Sequence, residues 1–138
     1  MNIQYVSHQF YGIISLGQDR NEQNSIVIKK GQRIPCSITE TFYTASEGQT
    51  GLQIRITATS IDEKDPTYAT IIGEGRLELP PGRPAGQPIE VTFDLHEISI
   101  LRCHFKDVET GEARNVTDVK GVPPSNSDPV MSVMEAPS

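Results

Sequence analysis

The sequence predicts an all-β fold, an antiparallel β-sandwich of about eight strands with a disordered C-terminal tail. Short segments rich in β-branched and aromatic residues recur along the chain, and Gly, Pro, Asn, Asp or Ser residues bound them. Helical periodicity is absent almost everywhere. Polar connectors separate the segments, as in GQDRNEQN at 17–24 and PPGRPAGQP at 80–88. These observations together indicate short strands joined by turns.

The predicted strands follow one another from the N-terminus with short connections. They lie near residues 9–16, 25–28, 38–44, 51–58, 71–79, 89–95, 99–105 and 113–117. In the fourth segment, Leu52, Ile54 and Ile56 alternate with polar residues, and EVTFDL at 90–95 alternates in the same way. Because successive side chains of a strand point to opposite faces, such strands bury only one side.

The length of 138 residues suits one domain with tails, and it is long enough to bury a core without metal or disulfide staples. We expect the sandwich to occupy residues 9–118. The last segment, 119–138, is rich in Pro and Ser and has too little apolar content to fold independently. It is therefore expected to be a flexible tail or a cloning boundary.

Charge and composition restrict the class of partner. The net charge of −6 argues against a nucleic-acid partner, since phosphate binding requires clustered Lys and Arg. The N-terminus has no basic region followed by an apolar stretch, and apolar runs are only a few residues long. We expect a soluble, cytoplasmic chain with no membrane partner. Nothing marks an oxidising compartment, so the two cysteines are expected to be reduced thiols.

The sequence offers little support for an enzyme. Metal-ligating atoms are present in His8, Cys36, His96, Cys103 and His104, but no C-x-x-C or H-x-x-x-H spacing occurs. Cys103 and His104 are adjacent on a predicted strand, so they point to opposite faces. No phosphate-binding GxxxxGK[ST] loop and no nucleophile elbow is present. We therefore expect no catalytic residues, no metal and no cofactor in this chain.

Four segments carry a resemblance to a known family. IPCSITETFYTASEGQTGLQIRI at 34–56 has the pattern of two strands and a polar loop whose apolar side chains could jointly line a groove. It resembles the first half of the peptide-binding domain of the seventy-kilodalton heat-shock chaperones, the DnaK type. HQFYGI at 8–13, PPGRPAGQPIEVTFDL at 80–95 and KDVETGE at 106–112 resemble other strands and turns of that domain, in the same order. Residues 1–8 would then be the remnant of an N-terminal linker.

The resemblance implies a chaperone domain that grips short extended hydrophobic segments of unfolded proteins by main-chain hydrogen bonds and apolar pockets. It implies a peptide-binding role for nine residues: Ile13, Ser15, Leu16, Phe42, Tyr43, Ala45, Leu52, Ile54 and Ile89. A tenth candidate is the loop residue Gln49, whose side chain could hydrogen-bond a peptide backbone. Leu16 and Ala45 would form an arch over the bound backbone. For Phe42, Ile54 and Ile89 taken singly, plain core packing is an equally good interpretation.

The family also has an ATP-hydrolysing domain before the sandwich and a helical lid after it, and neither is recognisable here. ATP is therefore implied only for the missing nucleotide-binding domain. In a full-length protein, that domain and J-domain co-chaperones would be partners. Whether the chain is an excised part of a longer protein or a naturally lidless relative stays open. Lidless relatives can insert their own tail into a neighbour's groove, and VMSVM at 130–134 is apolar enough to do so.

Three segments depart from the family pattern. In RPAGQP at 83–88, Ala85 stands where the family often has an arginine that helps latch the lid. The first loop, within ISLGQDRNEQNSI at 14–26, is longer and more polar than usual. HEISIL at 96–101 lacks the usual Asp-Gly turn, so Ile98 is either exposed there or buried by a register shift.

The acidic surface would favour peptides with basic flanks. Exposed ion pairs contribute only about 0 to 1 kcal/mol, however, so the apolar pocket would decide binding. The alternative function is a structural or assembly module of immunoglobulin-like type that binds one fixed partner through a strand edge.

Overall fold

The structure is a computed structural model that describes residues 4–98, 100–117, 131–132 and 134–136. Its described part is almost entirely β, with one 3-10 turn at Pro66–Tyr68. The strands are β1 (Tyr5–Val6), β2 (Phe10–Leu16), β3 (Glu22–Ile28), β4 (Arg33–Ile34), β5 (Cys36–Tyr43), β6 (Gly51–Thr59), β7 (Thr70–Glu78), β8 (Pro88–Glu97), β9 (Ile100–Asp107), β10 (Ala113–Thr117), β11 (Met131–Ser132) and β12 (Met134–Glu135). The predicted β-sandwich is confirmed, and its eight predicted strands correspond to the eight longest observed ones.

Two groups of antiparallel strands form the layers of the sandwich. One group has the order β10-β9-β8-β5, and the other places β2 between β3 and β6, with β7 on the outer edge of β6. Strand β12 joins the groups, because it pairs in parallel with β2 and antiparallel with β5. The short strands β1 and β4 form a separate two-stranded sheet. One buried apolar cluster draws residues from both groups.

Strand β8 has the predicted alternation. Its inward residues Ile89, Val91, Phe93 and Leu95 are fully buried, and the residues between them are half-buried. Each buried side chain of this size contributes about 1.5 to 3 kcal/mol relative to an exposed one. Strand β8 therefore supplies a large share of the core.

Strand β6 departs from simple alternation at its C-terminal end, where both faces are buried. There the Thr57 hydroxyl donates to Asn24 Oδ1 at 2.5 Å, which links β6 to β3 across β2. Gly12 makes this approach possible, since a Cβ at that position would lie 2.3 Å from the carbonyl oxygen of Ser25. The strand can bury the Thr57 hydroxyl on its second face because the hydroxyl is hydrogen-bonded.

The hairpin between β8 and β9 contains a register shift between Leu95 and Glu97, and Glu97 pairs with Ile100. Ile98 is half-buried and lines a cavity of about 370 Å³ together with Tyr5, Ile34 and Pro35. The shifted register, rather than a fully exposed Ile98, is therefore the observed outcome.

Within the predicted tail, 119–138, the structure describes only residues 131–132 and 134–136, so the flexible tail stays a prediction. Residues 131–132 and 134–135 form strands β11 and β12, and the rest of the tail apart from Ala136 lies outside the described residues. These two short strands were not predicted from the sequence. A two-residue strand is stabilised by its partners, here β2, β5 and β6, and local composition does not reveal them. No helix within the described ranges is long and apolar enough to cross a membrane.

Candidate functional site

A gap opens between the two layers where strand β2 separates from β6. Strand β2 pairs with β6 only over Phe10–Ile13, so its last residues are left without β6 on that edge. Strands β11 and β12 fill the gap, which we call the groove. Met134 pairs with Ser15, and Glu135 pairs with both Leu16 and Tyr43.

Backbone pairing holds the tail segment on several sides of the groove. The Ala136 amide donates to the Leu16 carbonyl oxygen at 3.1 Å. Strand β11 pairs in parallel with the first two residues of β6, Gly51 and Leu52. An extended segment is therefore bound by main-chain groups of β2, β5 and β6, which is the arrangement of an added strand.

The Met134 side chain fills the apolar part of the groove. It is 1% exposed and belongs to the same buried cluster as Ile13, Phe42, Leu52 and Ile89. Methionine is unbranched and flexible, so it can fill a pocket of irregular shape. Burial of such a side chain contributes about 1.5 to 3 kcal/mol.

The ten predicted peptide-binding residues divide into three groups by position. The backbone partners of the tail are Ser15, Leu16, Tyr43 and Leu52. The apolar cluster that includes Met134 and Leu52 also contains Ile13, Phe42, Ile54 and Ile89. The remaining two, Ala45 and Gln49, belong to the loop between β5 and β6. A role in peptide binding stays a prediction for all ten.

Exposure differs among these residues. Ile13, Ser15, Phe42, Leu52, Ile54 and Ile89 are fully buried with Met134 in place. Ala45 and Gln49 are also buried, Leu16 is half-buried, and Tyr43 is 37% exposed. The Ser15 hydroxyl lies 2.6 Å from the Ser25 hydroxyl, so its polar group has a partner inside the fold.

Gln49 uses its side chain to shape its own loop. Its Oε1 accepts hydrogen bonds from the amides of Ala45 at 3.0 Å and Ser46 at 3.2 Å. Its Nε2 donates to the Gly51 carbonyl oxygen at 3.0 Å. These bonds fix the loop beside the groove, whereas the predicted contact between Gln49 and a peptide backbone remains a prediction.

The proline-rich loop at 80–87 supports the loop between β5 and β6. The amide of Gly48 donates to the Arg83 carbonyl oxygen at 2.8 Å. Thr44 and Gln87 are joined in both directions, because each amide donates to an oxygen of the other residue at 2.9 Å. This rim of the groove is therefore held by hydrogen bonds from a second loop.

An ion pair anchors the proline-rich loop in turn. Arg83 makes two bonds to Asp107, Nη1 to Oδ1 at 3.2 Å and Nη2 to Oδ2 at 2.8 Å. Arg83 is 18% exposed and Asp107 is fully buried. Burial alone raises the pKa of Asp107, but hydrogen bonds from Arg83 and Thr110, the Arg83 charge and the Glu109 amide together lower it. The Asp107 carboxylate is thus held in its charged form.

The loop between β2 and β3 forms the opposite rim. Its turn is closed by Gly17, whose amide donates to the Asn21 carbonyl oxygen and whose carbonyl accepts from the Arg20 amide, each at 3.0 Å. Hydrogen bonds from Asn21 lower the pKa of Asp19 in the same turn. Arg20 adopts a positive φ of 65°. The extra length noted in the sequence at this loop is therefore folded into a compact turn.

Arg20 crosses the groove above the tail. Its Nη1 forms an ion pair with Glu135, and its Nη2 lies 3.5 Å from the carbonyl oxygen of Ala45. The resemblance placed an arch at Leu16 and Ala45, and the Arg20 side chain reaches from the β2–β3 loop towards Ala45. Sequence reasoning did not identify Arg20. The signal available was a single basic residue in an unusually long polar loop.

Beyond Glu135 the groove continues into an open cavity of about 640 Å³. Leu16, Tyr43, Lys64 and Ala136 are among its lining residues.

No group of three or more His, Cys, Asp or Glu residues in the described part of the chain is placed to hold a metal ion. Neither Cys36 nor Cys103 forms a disulfide, and Cys103 is buried. Burial and the nearby Asp94 charge raise the pKa of the Cys36 thiol, which makes it a poor nucleophile.

Comparison with known proteins finds a similarity to a heat shock protein. No protein-family model matches the chain. A mitochondrial heat shock 70 kDa protein of Dictyostelium discoideum is 39% identical to it over 95 residues. The chain is similar to part of a heat-shock chaperone. The match covers 65% of this chain and 14% of the relative, so the chain spans a small part of the protein it matches.

Proposed function

We propose that this chain is a peptide-binding domain of the seventy-kilodalton heat-shock type, which grips short extended apolar segments of unfolded proteins between β2 and β5. The observation that carries the proposal is the position of Met134. A short segment lies in the groove with main-chain pairing to both sides and one side chain buried between the layers. These are the contacts that an extended peptide needs.

The energetics favour weak binding of many sequences. One buried apolar side chain contributes about 1.5 to 3 kcal/mol, and each backbone hydrogen bond adds about 0.5 to 1.5 kcal/mol before the cost of ordering the peptide. The net affinity is then about micromolar. Main-chain bonds are independent of sequence, so the apolar pocket sets the preference for side chains such as Met and Leu.

The similarity to a heat-shock chaperone extends the proposal to a longer protein. There, a nucleotide-binding domain would bind ATP and control the affinity of the groove, and J-domain co-chaperones would be further partners. We propose no catalytic role for the residues of this chain. Its cytoplasmic location remains a prediction.

The tail affects how the function is measured. Because Met134 occupies the groove, a peptide must displace it. The apparent affinity is then the intrinsic affinity multiplied by the fraction of molecules in which the groove is free. We expect Met134→Asp to weaken the hold on the tail, since burial of an unpaired carboxylate is strongly unfavourable. This variant should bind peptides more tightly than the original chain.

Fluorescence anisotropy with a set of short labelled peptides rich in Leu, Ile and Val tests the proposal. We expect graded, weak binding of many peptides, tightened by Met134→Asp. Val108→Asp is the matched control, because it adds the same charge at an exposed apolar residue of the turn after β9. Absence of binding to both the original chain and Met134→Asp would contradict the proposal. Binding of one sequence alone would favour the fixed-partner module instead.

A further inference from the structure

The contact between Arg20 and Glu135 links the loop between β2 and β3 to the segment inside the groove. The two side chains form an ion pair, with 56% of Arg20 and 34% of Glu135 exposed. The same guanidinium reaches towards the Ala45 carbonyl oxygen in the loop between β5 and β6. Arg20 therefore lies across the bound backbone and contacts the residue directly after the buried Met134.

Hydrogen bonds within the turn that carries Arg20 hold its backbone without the tail. The Arg20 amide is bonded to the Gly17 carbonyl oxygen, and the turn is closed a second time by the bond from Gly17 to Asn21. The neighbouring Asp19 carboxylate accepts from the Asn21 amide at 3.0 Å and from its Nδ2 at 3.2 Å. The one acidic side chain of this turn is thus engaged with Asn21 while Arg20 points to the tail.

The register of the bound segment determines which peptide position meets Arg20. Met134 and Glu135 are consecutive residues of an extended strand, so their side chains point to opposite sides. When one side chain enters the apolar pocket, the next one is directed away from the core. In the structure that next residue is an acid, and it meets a guanidinium that can make charge-assisted hydrogen bonds to it.

We infer that Arg20 makes the groove select peptides in which Asp or Glu directly follows the buried apolar residue. The inference rests on the proposed function and adds a specificity to it. The net charge of −6 would favour basic flanks instead. At this position the direct contact with Arg20 outweighs the effect of the net negative charge, because charges more than about 8 Å away are largely screened at physiological salt.

The expected preference is modest. Arg20 is more than half exposed, and exposed ion pairs contribute about 0.2 to 1 kcal/mol. At about 1.4 kcal/mol per factor of ten, this corresponds to about 1.4- to fivefold tighter binding of the acidic peptide. The preference should shrink as salt is added, since the contact is partly in solvent.

The test uses the intact chain and three labelled peptides. The first has the sequence of residues 129–138, PVMSVMEAPS, and the other two carry Gln or Lys in place of the Glu. The ratio of their dissociation constants is the measured quantity. Competition by the tail affects all three peptides equally in a given protein, so it cancels in the ratio. The original chain is expected to bind the Glu peptide about 1.4- to fivefold more tightly than the Lys peptide.

Arg20→Glu should reverse this order, and Arg20→Gln should remove it. Arg114→Glu is the matched control, because it makes the same change of charge on the exposed face of β10, and it should keep the original ratio. Equal ratios in the original chain and in both Arg20 variants would overturn the inference while leaving the proposed function standing. If none of the peptides binds any of the proteins, the proposed function fails and the inference fails with it.

Discussion

Met134 pairs in parallel with Ser15, and this contact places the end of the described chain inside the fold. The pairing joins the two layers at the point where β2 separates from β6. Strand β12 also pairs with β5, so the tail segment connects the two layers. The groove that we propose for peptides is therefore observed in its occupied form.

Phe93→Ala tests the core on the β8 side of the sandwich. Phe93 is fully buried, and its truncation removes a large apolar volume. We expect the free energy of unfolding to fall by about 3 to 5 kcal/mol. Denaturant titration measures the change. The adjacent Thr92→Ala is the control and should cost less than about 1.5 kcal/mol, since it loses only a hydroxyl contact with Thr39 on the outer face. Equal losses in the two variants would contradict the packing described here.

Arg83→Ala tests the ion pair that anchors the proline-rich loop. The substitution leaves the buried Asp107 carboxylate without its main partner, so we expect a loss of about 3 to 5 kcal/mol in unfolding free energy at neutral pH. The exposed Arg114→Ala should change stability by less than about 0.5 kcal/mol. A loss in Arg83→Ala as small as that control would show that the pair contributes little.

Acid titration gives an independent test of Asp107. Its pKa is lowered in the folded state, so the unfolded chain binds a proton more readily. The stability that it contributes is present above the unfolded pKa of about 3.9 and is lost as the pH falls through the folded pKa. We expect Asp107→Asn to flatten the dependence of unfolding free energy on pH below about 4. An unchanged acid profile in this variant would contradict the assignment.

Gly12→Ala tests the close contact between β2 and β3. The new Cβ would lie 2.3 Å from a backbone oxygen of Ser25, which can move only with its strand. Overpacking of this kind costs about 1 to 3 kcal/mol. Gly75→Ala is the comparison, since its Cβ would meet a side-chain methyl of Val116 at 2.6 Å and not backbone. Thermal unfolding should show the larger loss for Gly12→Ala, and the reverse order would contradict the contact.

Gln49→Ala tests whether loop geometry supports binding. The variant loses the bonds from the Ala45 and Ser46 amides and the bond to Gly51. We expect faster hydrogen exchange at those two amides and weaker binding of peptides. Glu47→Ala, at an exposed position of the same loop, should leave both quantities unchanged. Unaltered exchange in Gln49→Ala would show that the loop holds its shape without this side chain.

Much of the fold was predictable because the long strands carry local signals. Alternation in β8 and the turn residues around each segment marked eight strands. The two-residue strands β1, β4, β11 and β12 were missed, since only their partners define them.

The groove was less predictable than the strands. The resemblance indicated its rims, but the self-pairing of Met134 and the position of Arg20 depend on contacts between segments far apart in sequence. The sequence had suggested a tail that enters a neighbour's groove. The structure places the described part of the tail in the groove of its own chain.

Carbon-13 NMR of the methionine methyl groups during a peptide titration tests the central claim most directly. The chain has three methionines, and loss of one signal in Met134→Leu would assign the methyl group of Met134. We predict that a saturating apolar peptide moves this signal from a buried to a solvent-exposed position, because the peptide takes its place between β2 and β5. A Met134 signal that stays buried at saturation would contradict the claim that the tail and the peptide share one groove.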